Sequence, residues 1–385
     1  MMDEQALRDR LVAVDVPPTR LGAQTVVDAG RRRVFRRRAA QASCGAALAT
    51  GLLLAMPFGV DGGTPVPSNG LADLPCAVAK LPVLAGMTAV TADAVDPTGK
   101  YIVGNNIEKV AGTQSPEPIL WTNGKPRALP TVGGPIYASA VNAGGAVAAV
   151  AADAHSVFRY VDGIPVKLSP PAGDWLFTPM PKINARGDVL ATAHQKRKPA
   201  AGEKFGQVGK DVALLWRAGS DVATRLPLPA GARGLDITDD GTIVGDLAAG
   251  SDITDVTSYA WDQRGNGRKL KTPAGQSGTV YSAQGTWATG NLWPSGTAAR
   301  WNLRTGEVTD LHIHAPATAV NARGWIIADG ALQRDGVAVD LQPAGGGQSE
   351  PQDVSDAGVV VGSMLGFDKD GSTTSTGPLT WRCDR

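Results

Sequence analysis

The sequence predicts an all-β protein: a seven-bladed β-propeller with four-stranded blades, preceded by one transmembrane helix. Three observations carry this prediction: a turn motif that recurs seven times, an aromatic and leucine pair that follows most of these turns, and a turn-rich composition. The chain has 48 glycines and 27 prolines in 385 residues, with only 19% charged residues. This balance favours a β protein over a helical one, and the length suits one large repeat domain.

The recurring turn is represented by DITDDGTIVGD at residues 236–246 and AVNARGWIIAD at 319–329. A short polar residue stands three positions before each glycine, as in a four-residue turn, and apolar runs on both sides predict two antiparallel strands. The glycines are about 43 residues apart on average, in the range of propeller blades. They are Gly99, Gly145, Gly187, Gly241, Gly285, Gly324 and Gly358.

Each copy has a second half that predicts two more strands, one marked by an aromatic residue and the next by a leucine. Trp121 and Leu129 illustrate the pair, and Leu332 with Leu341 replaces it in the sixth copy. We expect the aromatic residues to pack between blades, because each buries a large apolar area. They are Trp121, Tyr160, Trp216, Trp261, Trp301 and Trp381.

The seventh copy ends before any leucine strand, and the missing strand is found at the other end of the domain. Residues 77–82 end in Leu81-Pro82, which matches Leu129-Pro130 of the first copy. We therefore expect residues 77–82 to complete the last blade. In that register Cys76 and Cys383 occupy adjacent positions of a hairpin, which predicts a disulfide that closes the ring in an oxidising compartment.

The repeated Asn-x-x-Gly turn, followed by an apolar run and Val-Gly or Ala-Asp, resembles the HAF-type extracellular repeats. It resembles the tryptophan-aspartate repeat propellers more distantly, without their His and Asp signatures. The resemblance covers residues 76–385. It implies an exported repeat protein that has no assigned activity, so it transfers no functional residues.

An uncharged segment at residues 39–60 is long enough to cross a bilayer as a helix. The cluster RRRVFRRR at 31–38 precedes it and predicts a cytoplasmic N-terminus. The resulting organisation is a cytoplasmic tail at 1–38, the membrane helix, a linker at 61–75 and an extracellular propeller. A cleaved signal peptide, with a twin-arginine motif at Arg32 and Arg33, is the open alternative. Cys44 would be a free thiol within the membrane segment.

The tail contains a possible contact for a cytoplasmic protein. Leu7, Leu11 and Val14 would form an apolar stripe on a short helix. The tail resembles membrane-bound regulators encoded beside sigma factors, which implies a transcription factor as partner. A partly disordered leader, or a helix lying on the inner leaflet, explains the same pattern.

The charge pattern and motifs predict neither nucleic-acid binding nor a cofactor. Beyond residue 38, 28 basic residues stand against 31 acidic ones, so no basic surface is indicated. His312 and His314 share a face of a presumed strand, but no further ligand completes a metal site. Asp368 and Asp370 resemble part of a calcium loop without its later acidic ligand. Because no catalytic motif is found, we expect the protein not to be an enzyme.

The favoured function is that of an extracellular binding or sensing module for an envelope protein, peptide or glycan. Trp175 and Trp293, which are assigned to loops, are the candidate ligand-facing residues. A transmembrane regulator that acts through its tail is one alternative. An enzyme whose site is assembled across blades is another, and it predicts titratable residues that converge at the mouth of the central channel.

Overall fold

Residues 76–110, 113–177, 180–196, 208–248, 256–343, 347–367 and 373–383 are described by a computed structural model. They form strands, turns and loops within one compact unit, Gly70–Arg385. No helix among them is long and apolar enough to cross a membrane. The predicted tail, membrane helix and linker lie outside the described residues, as do Leu7, Leu11, Val14, Cys44, Asp368 and Asp370.

The strands form seven antiparallel sheets, each of which is one blade of the predicted propeller. The strands of the first three blades are as follows. The first strand of the chain, β1 (Ala77–Lys80), belongs to the last blade. Blade 1 contains β2 (Ala94–Val95), β3 (Tyr101–Val110), β4 (Thr113–Thr122) and β5 (Lys125–Ala128). Blade 2 contains β6 (Ile136–Val141), β7 (Val147–Ala151), β8 (Val157–Val161) and β9 (Ile164–Leu168). Blade 3 contains β10 (Trp175–Phe177), β11 (Lys182–Ile183), β12 (Val189–Lys196), β13 (Val208–Trp216) and β14 (Ala223–Arg225).

The remaining four blades follow in chain order. Blade 4 contains β15 (Ala232–Ile237), β16 (Ile243–Ala248), β17 (Val256–Trp261) and β18 (Gly267–Lys269). Blade 5 contains β19 (Ser277–Gln284), β20 (Trp287–Trp293), β21 (Thr297–Asn302) and β22 (Val308–Asp310). Blade 6 contains β23 (Ala317–Val320), β24 (Ile326–Ala328), β25 (Ala331–Arg334) and β26 (Val337–Asp340). Blade 7 contains β27 (Gln348–Val354), β28 (Val359–Phe367), β29 (Thr373–Arg382) and β1.

The predicted turns join the first and second strands of the blades. In blade 4, Gly241 has a φ of 92° and donates its N–H to the carbonyl of Thr238 at 2.9 Å. Glycine is favoured here because other residues rarely adopt a positive φ. Asp240 accepts a hydrogen bond from the N–H of Thr242 at 3.0 Å within the same turn. The repeated motif is therefore a turn, as predicted.

The last blade closes the ring as predicted. Strand β1 pairs with β29, with Ala77 opposite Arg382 and Lys80 opposite Leu379. Cys76 and Cys383 form the predicted disulfide, with their Cα atoms 4.5 Å apart. The two ends of the domain are therefore joined both by backbone hydrogen bonds and by a covalent bond.

The aromatic residues of the third strands pack between blades, as predicted. The five Trp side chains of this set are at most 1% exposed. The structure adds a hydrogen bond that the sequence did not predict: four of these side chains, Trp121, Tyr160, Trp216 and Trp301, donate to the backbone carbonyl that follows the preceding blade's leucine. Trp216 Nε1 donates to Ser169 at 3.0 Å, and Trp301 Nε1 donates to Lys271 at 2.8 Å. We call this combination of aromatic ring, leucine and carbonyl the outer latch.

Blade 3 departs from the predicted pattern because its first strand is divided. Strands β10 and β11 both pair with β12, at its opposite ends. Pro181 stands immediately before β11, and proline has no N–H to donate to the neighbouring strand. Other blades also shift register at the position that Pro181 occupies, for example between Gly234 and Asp236 in blade 4.

Candidate functional site

A cavity lies on the ring axis at the end where the turns between first and second strands meet. We call this end the turn face and the cavity the turn-face mouth. The cavity has a volume of about 90 Å³, which is enough for several water molecules. All seven blades line it, through residues that include Val95, Ala140, Lys182, Asp236, Ser282, Val320 and Asp353.

One strand position supplies most of the charge in this cavity. Asp236 pairs with Val244 and Asp353 pairs with Val361, in the same register relative to the turn. Lys182 occupies this position in blade 3, where it pairs with Leu190. The other four blades place small residues there, which are Ala94, Ala140, Ser282 and Ala319. The blades thus share a backbone at this position but differ in side chain.

Asp236 and Asp353 bind the blade that follows their own. Asp236 Oδ2 accepts a hydrogen bond from the N–H of Ala283 in blade 5, at 2.9 Å. Asp353 Oδ2 accepts one from the N–H of Val95 in blade 1, at 3.0 Å. Their Oδ1 atoms each accept the N–H of the next residue in their own strand, at 2.8 Å. These backbone donors fix both carboxylates in position.

Two further carboxylates, in the turns of the same two blades, bind the blade that precedes them. Asp239 Oδ1 accepts the N–H of Ala185 in blade 3 at 2.8 Å. Asp356 Oδ1 accepts the N–H of Ala322 in blade 6 at 2.6 Å. Gln284 Nε2 also donates to Asp239 Oδ2, at 3.1 Å. Blades 4 and 7 are therefore each joined to both neighbours at the turn-face mouth.

The charges at the mouth are predominantly negative. Lys182 Nζ lies 3.9 Å from Asp236 Oδ2, and Lys182 is the basic residue among those that line the cavity; Arg323, which does not line it, also acts on Asp356. Burial raises the pKa of Asp353 to about 6; Lys182 opposes the shift, and the charge of Asp236 adds to it. Burial, with a contribution from Asp239, also raises the pKa of Asp356. The mouth therefore loses negative charge as the pH falls.

A second group of polar residues lies further from the turns, on or beside the first and second strands of blades 1 and 4. Burial raises the pKa of Asp93 to about 6, although its carboxylate accepts hydrogen bonds from Thr91 Oγ1 at 2.8 Å and Asn105 Nδ2 at 2.7 Å. In blade 4, Arg233 Nε and Nη2 donate to the buried carboxylate of Asp246, both at 2.7 Å. The titratable residues that the structure brings to one cavity are therefore Lys182 and the four carboxylates of the turn-face mouth, whereas Asp93, Arg233 and Asp246 are not among its lining residues.

The aromatic residues predicted to face a ligand lie in strands, so their assignment to loops was wrong. Trp175 is in β10, is 7% exposed and donates Nε1 to the carbonyl of Pro171 at 2.8 Å. This burial leaves its ring little surface for a ligand. Trp293 ends β20 and is half-buried. Their role in ligand binding stays a prediction.

The histidine pair also lies elsewhere than predicted. His312 and His314 follow β22 and are not part of a strand, because the chain turns at His312, which has a φ of 55°. His312 Nδ1 lies 3.5 Å from Asp310 Oδ1. Across the described ranges, no group of three or more His, Cys, Asp or Glu side chains is arranged to hold a metal ion.

The sequence analysis did not identify the carboxylates of the turn-face mouth, because it interpreted the stretch 236–246 only as two strands joined by a turn. A signal was present: Asp-Ile-Thr-Asp at 236–239 and Asp-Val-Ser-Asp at 353–356. Among the seven copies, these are the two with Asp at both positions. The turn motif is defined by what the seven copies share, so it does not include this difference between them.

Comparison with known proteins shows the fold alone. No protein-family model matches the chain, and no curated protein sequence is significantly similar to it. The resemblance to HAF-type repeats therefore stays a prediction. Solved structures with a similar fold include virginiamycin B lyase from Staphylococcus aureus, with a TM-score of 0.48 and 15% identity over 79% of this chain and 99% of that chain.

Two other solved structures represent an enzyme and a WD40 protein. Puromycin hydrolase has a TM-score of 0.50 and 12% identity, covering 77% of this chain but only 56% of that chain. The WD40 repeats of RRP9 have a TM-score of 0.49 and 10% identity, covering 80% of this chain and 98% of that chain.

The prediction that the protein is not an enzyme was wrong, because proteins with this fold include enzymes, as puromycin hydrolase shows. The absence of a catalytic motif was insufficient grounds for it, since a site assembled from several blades leaves no local motif. The described chain is a seven-bladed β-propeller of four-stranded blades, with WD40 repeats and enzymes among its structural neighbours.

Proposed function

We propose that the protein is an exported, membrane-anchored binding module whose turn-face mouth receives a projecting group of an envelope protein or peptide. The observation that carries this proposal is that seven blades form one cavity with different side chains from blade to blade. Concave sites with a few convergent polar groups are the usual form of a binding site. Because the blades share a backbone but differ in these side chains, the cavity can be complementary to one particular ligand.

The export of the propeller is supported by its covalent closure. The Cys76–Cys383 disulfide joins positions 307 residues apart in the chain. Disulfides of this structural kind persist in oxidising compartments outside the cytoplasm. We propose that residues 39–60 anchor the chain in the membrane and leave the propeller outside the cell.

Peptide selection against the full chain tests the binding proposal. We expect a random peptide library to yield binders that lose affinity at least tenfold for Gln284→Trp, which obstructs the turn-face mouth. Gln263→Trp is the matched control, because Gln263 lies on the same face in the outer hairpin of blade 4, away from the axis. Thermal unfolding of both variants confirms that the propeller is intact. Equal binding by both variants would show that the mouth is not the site.

Catalysis in the channel is a second candidate function, favoured by the raised pKa of Asp93 and Asp353. Carboxyl groups with a pKa of about 6 can exchange protons near neutral pH. We expect turnover of one class in a panel of p-nitrophenyl esters, phosphates and glycosides, with a rate that changes near pH 6. Loss of turnover in Asp93→Asn would support this function, and an inactive wild-type protein would contradict it for those substrate classes.

A further inference from the structure

The charges of the turn-face mouth indicate which class of ligand it binds. We propose that the turn-face mouth binds an alkylammonium or guanidinium side chain of the partner. This inference rests on the proposed function. Four carboxylates, those of Asp236, Asp239, Asp353 and Asp356, face a cavity that contains the ammonium group of Lys182. The excess of negative charge favours a cation over an anionic or neutral group.

Lys182 is an independent indication of the ligand class, because it already places an alkylammonium group in this cavity. Its Nζ lies 3.9 Å from Asp236 Oδ2, which is beyond hydrogen-bond distance. The ion pair is therefore loose, and the carboxylate can accept a shorter bond from another donor. In the partner-free protein, Lys182 acts as a resident counter-ion that an incoming cation displaces.

The carboxylates are held ready for such a donor. Each of Asp236 and Asp353 accepts one backbone N–H on each oxygen, and a carboxylate oxygen has a second lone pair for another bond. Because backbone groups on two blades fix each carboxylate, binding orders few side chains and loses little conformational entropy. The small residues Ala94, Ala140 and Ser282 at the equivalent positions leave the space that a side chain would enter.

Four capped Gly-Ser nonapeptides test the inference, with a single central lysine, arginine, acetyl-lysine or glutamate. We expect calorimetry on the full chain at low ionic strength to show at least tenfold tighter binding of the lysine and arginine peptides. Acetyl-lysine is the decisive control, because acetylation removes the charge and keeps the length. The binding should weaken as salt is added, since salt screens the charges.

Variants of the mouth assign the binding to particular residues. Asp239→Asn and Asp356→Asn should each weaken binding of the lysine peptide about fivefold, and the amide oxygen can still accept the backbone N–H of the neighbouring blade. Lys182→Ala should tighten it, because the competing ammonium is gone. Weaker binding in Lys182→Ala, or equal binding of all four peptides, would overturn the inference.

The peptide selection distinguishes this inference from the proposed function. Selected peptides that lack basic residues but are blocked by Gln284→Trp would overturn the cation preference and support a binding role for the mouth. Peptides whose binding is unaffected by Gln284→Trp would contradict both. Enrichment of lysine or arginine in the blocked peptides would support both.

Discussion

The outer latch and the turn-face mouth are built on the same blades but differ in what is repeated. The outer latch places a buried aromatic ring against the preceding blade, and Trp121, Trp216 and Trp301 donate equivalent hydrogen bonds. The turn-face mouth places Lys182, Asp236 or an alanine at one equivalent position. Packing between blades favours a similar buried side chain at most junctions, with Leu332 in blade 6 as the exception, whereas a binding surface requires local differences. Repetition therefore marks the stabilising part of this propeller, and variation marks the candidate site.

The largest expected effect is at the outer latch. Trp216→Ala removes a fully buried ring that contacts Phe177 and should lower the free energy of unfolding by about 3–5 kcal/mol. Trp287→Ala is the control, because Trp287 is only half-buried and lies outside the latch. Denaturant unfolding measures both. A similar decrease in the free energy of unfolding of the two variants would show that the outer latch stabilises the protein no more than a half-buried Trp does.

Removal of the disulfide tests the closure of the ring. Cys76→Ser with Cys383→Ser should lower the free energy of unfolding by about 2–4 kcal/mol, because the unfolded chain regains entropy. The pairing of β1 with β29 should keep the blade assembled. Denaturant unfolding of oxidised wild type, reduced wild type and the double variant makes the comparison. A reduced wild type as stable as the oxidised protein would contradict the prediction.

At the turn-face mouth, the contact between blades 4 and 5 should contribute less than the latch. Asp236→Ala leaves the N–H of Ala283 without its acceptor and should cost about 1–3 kcal/mol. The same variant should leave the outer latch intact, since no latch residue contacts Asp236 through the bonds described. Hydrogen exchange at Ala283 measures the local effect. Unchanged exchange there would show that the carboxylate does not join the two blades.

The hydrogen bond of the latch can be separated from its packing. Trp301→Phe should lower the free energy of unfolding by about 1 kcal/mol more than Trp381→Phe, because Trp301 Nε1 donates a hydrogen bond to the backbone carbonyl of Lys271. Trp381 Nε1 is buried and has no partner within the described part of the chain. Thermal unfolding of both variants gives the difference. An equal loss of stability in the two variants would mean that the hydrogen bond of Trp301 contributes no stability beyond that of the packed ring.

The smallest expected effect is a pH dependence of the free energy of unfolding. It is caused by Asp93, which stands immediately before β2. The pKa of Asp93 is about 6 in the folded protein against an ordinary value of 3.8, so the folded state binds the proton more tightly. This contribution to stability is complete below about pH 4 and is lost as the pH rises through 6. We expect about 1 kcal/mol more stability at pH 5 than at pH 7.5.

Asp93→Asn is the matched variant for the pH experiment. Its amide oxygen can still accept the hydrogen bonds from Thr91 and Asn105, but the group does not titrate. Thermal unfolding between pH 4 and pH 8 should therefore show a weaker pH dependence than in the wild type. An unchanged dependence would assign the effect to other groups, such as Asp353.

The sequence by itself determined the number of blades, the turns, the completion of the last blade by residues 77–82 and the pairing of Cys76 with Cys383. These features follow from local chemistry, because glycine adopts the turn conformation, apolar runs form strands and repeats must stack to bury them. Only the tertiary structure decided that Lys182, Asp236 and Asp353 share one cavity. They lie far apart in the chain and come together through ring closure. No local pattern reports a distance across the axis, so the candidate site became visible only when the seven blades were assembled.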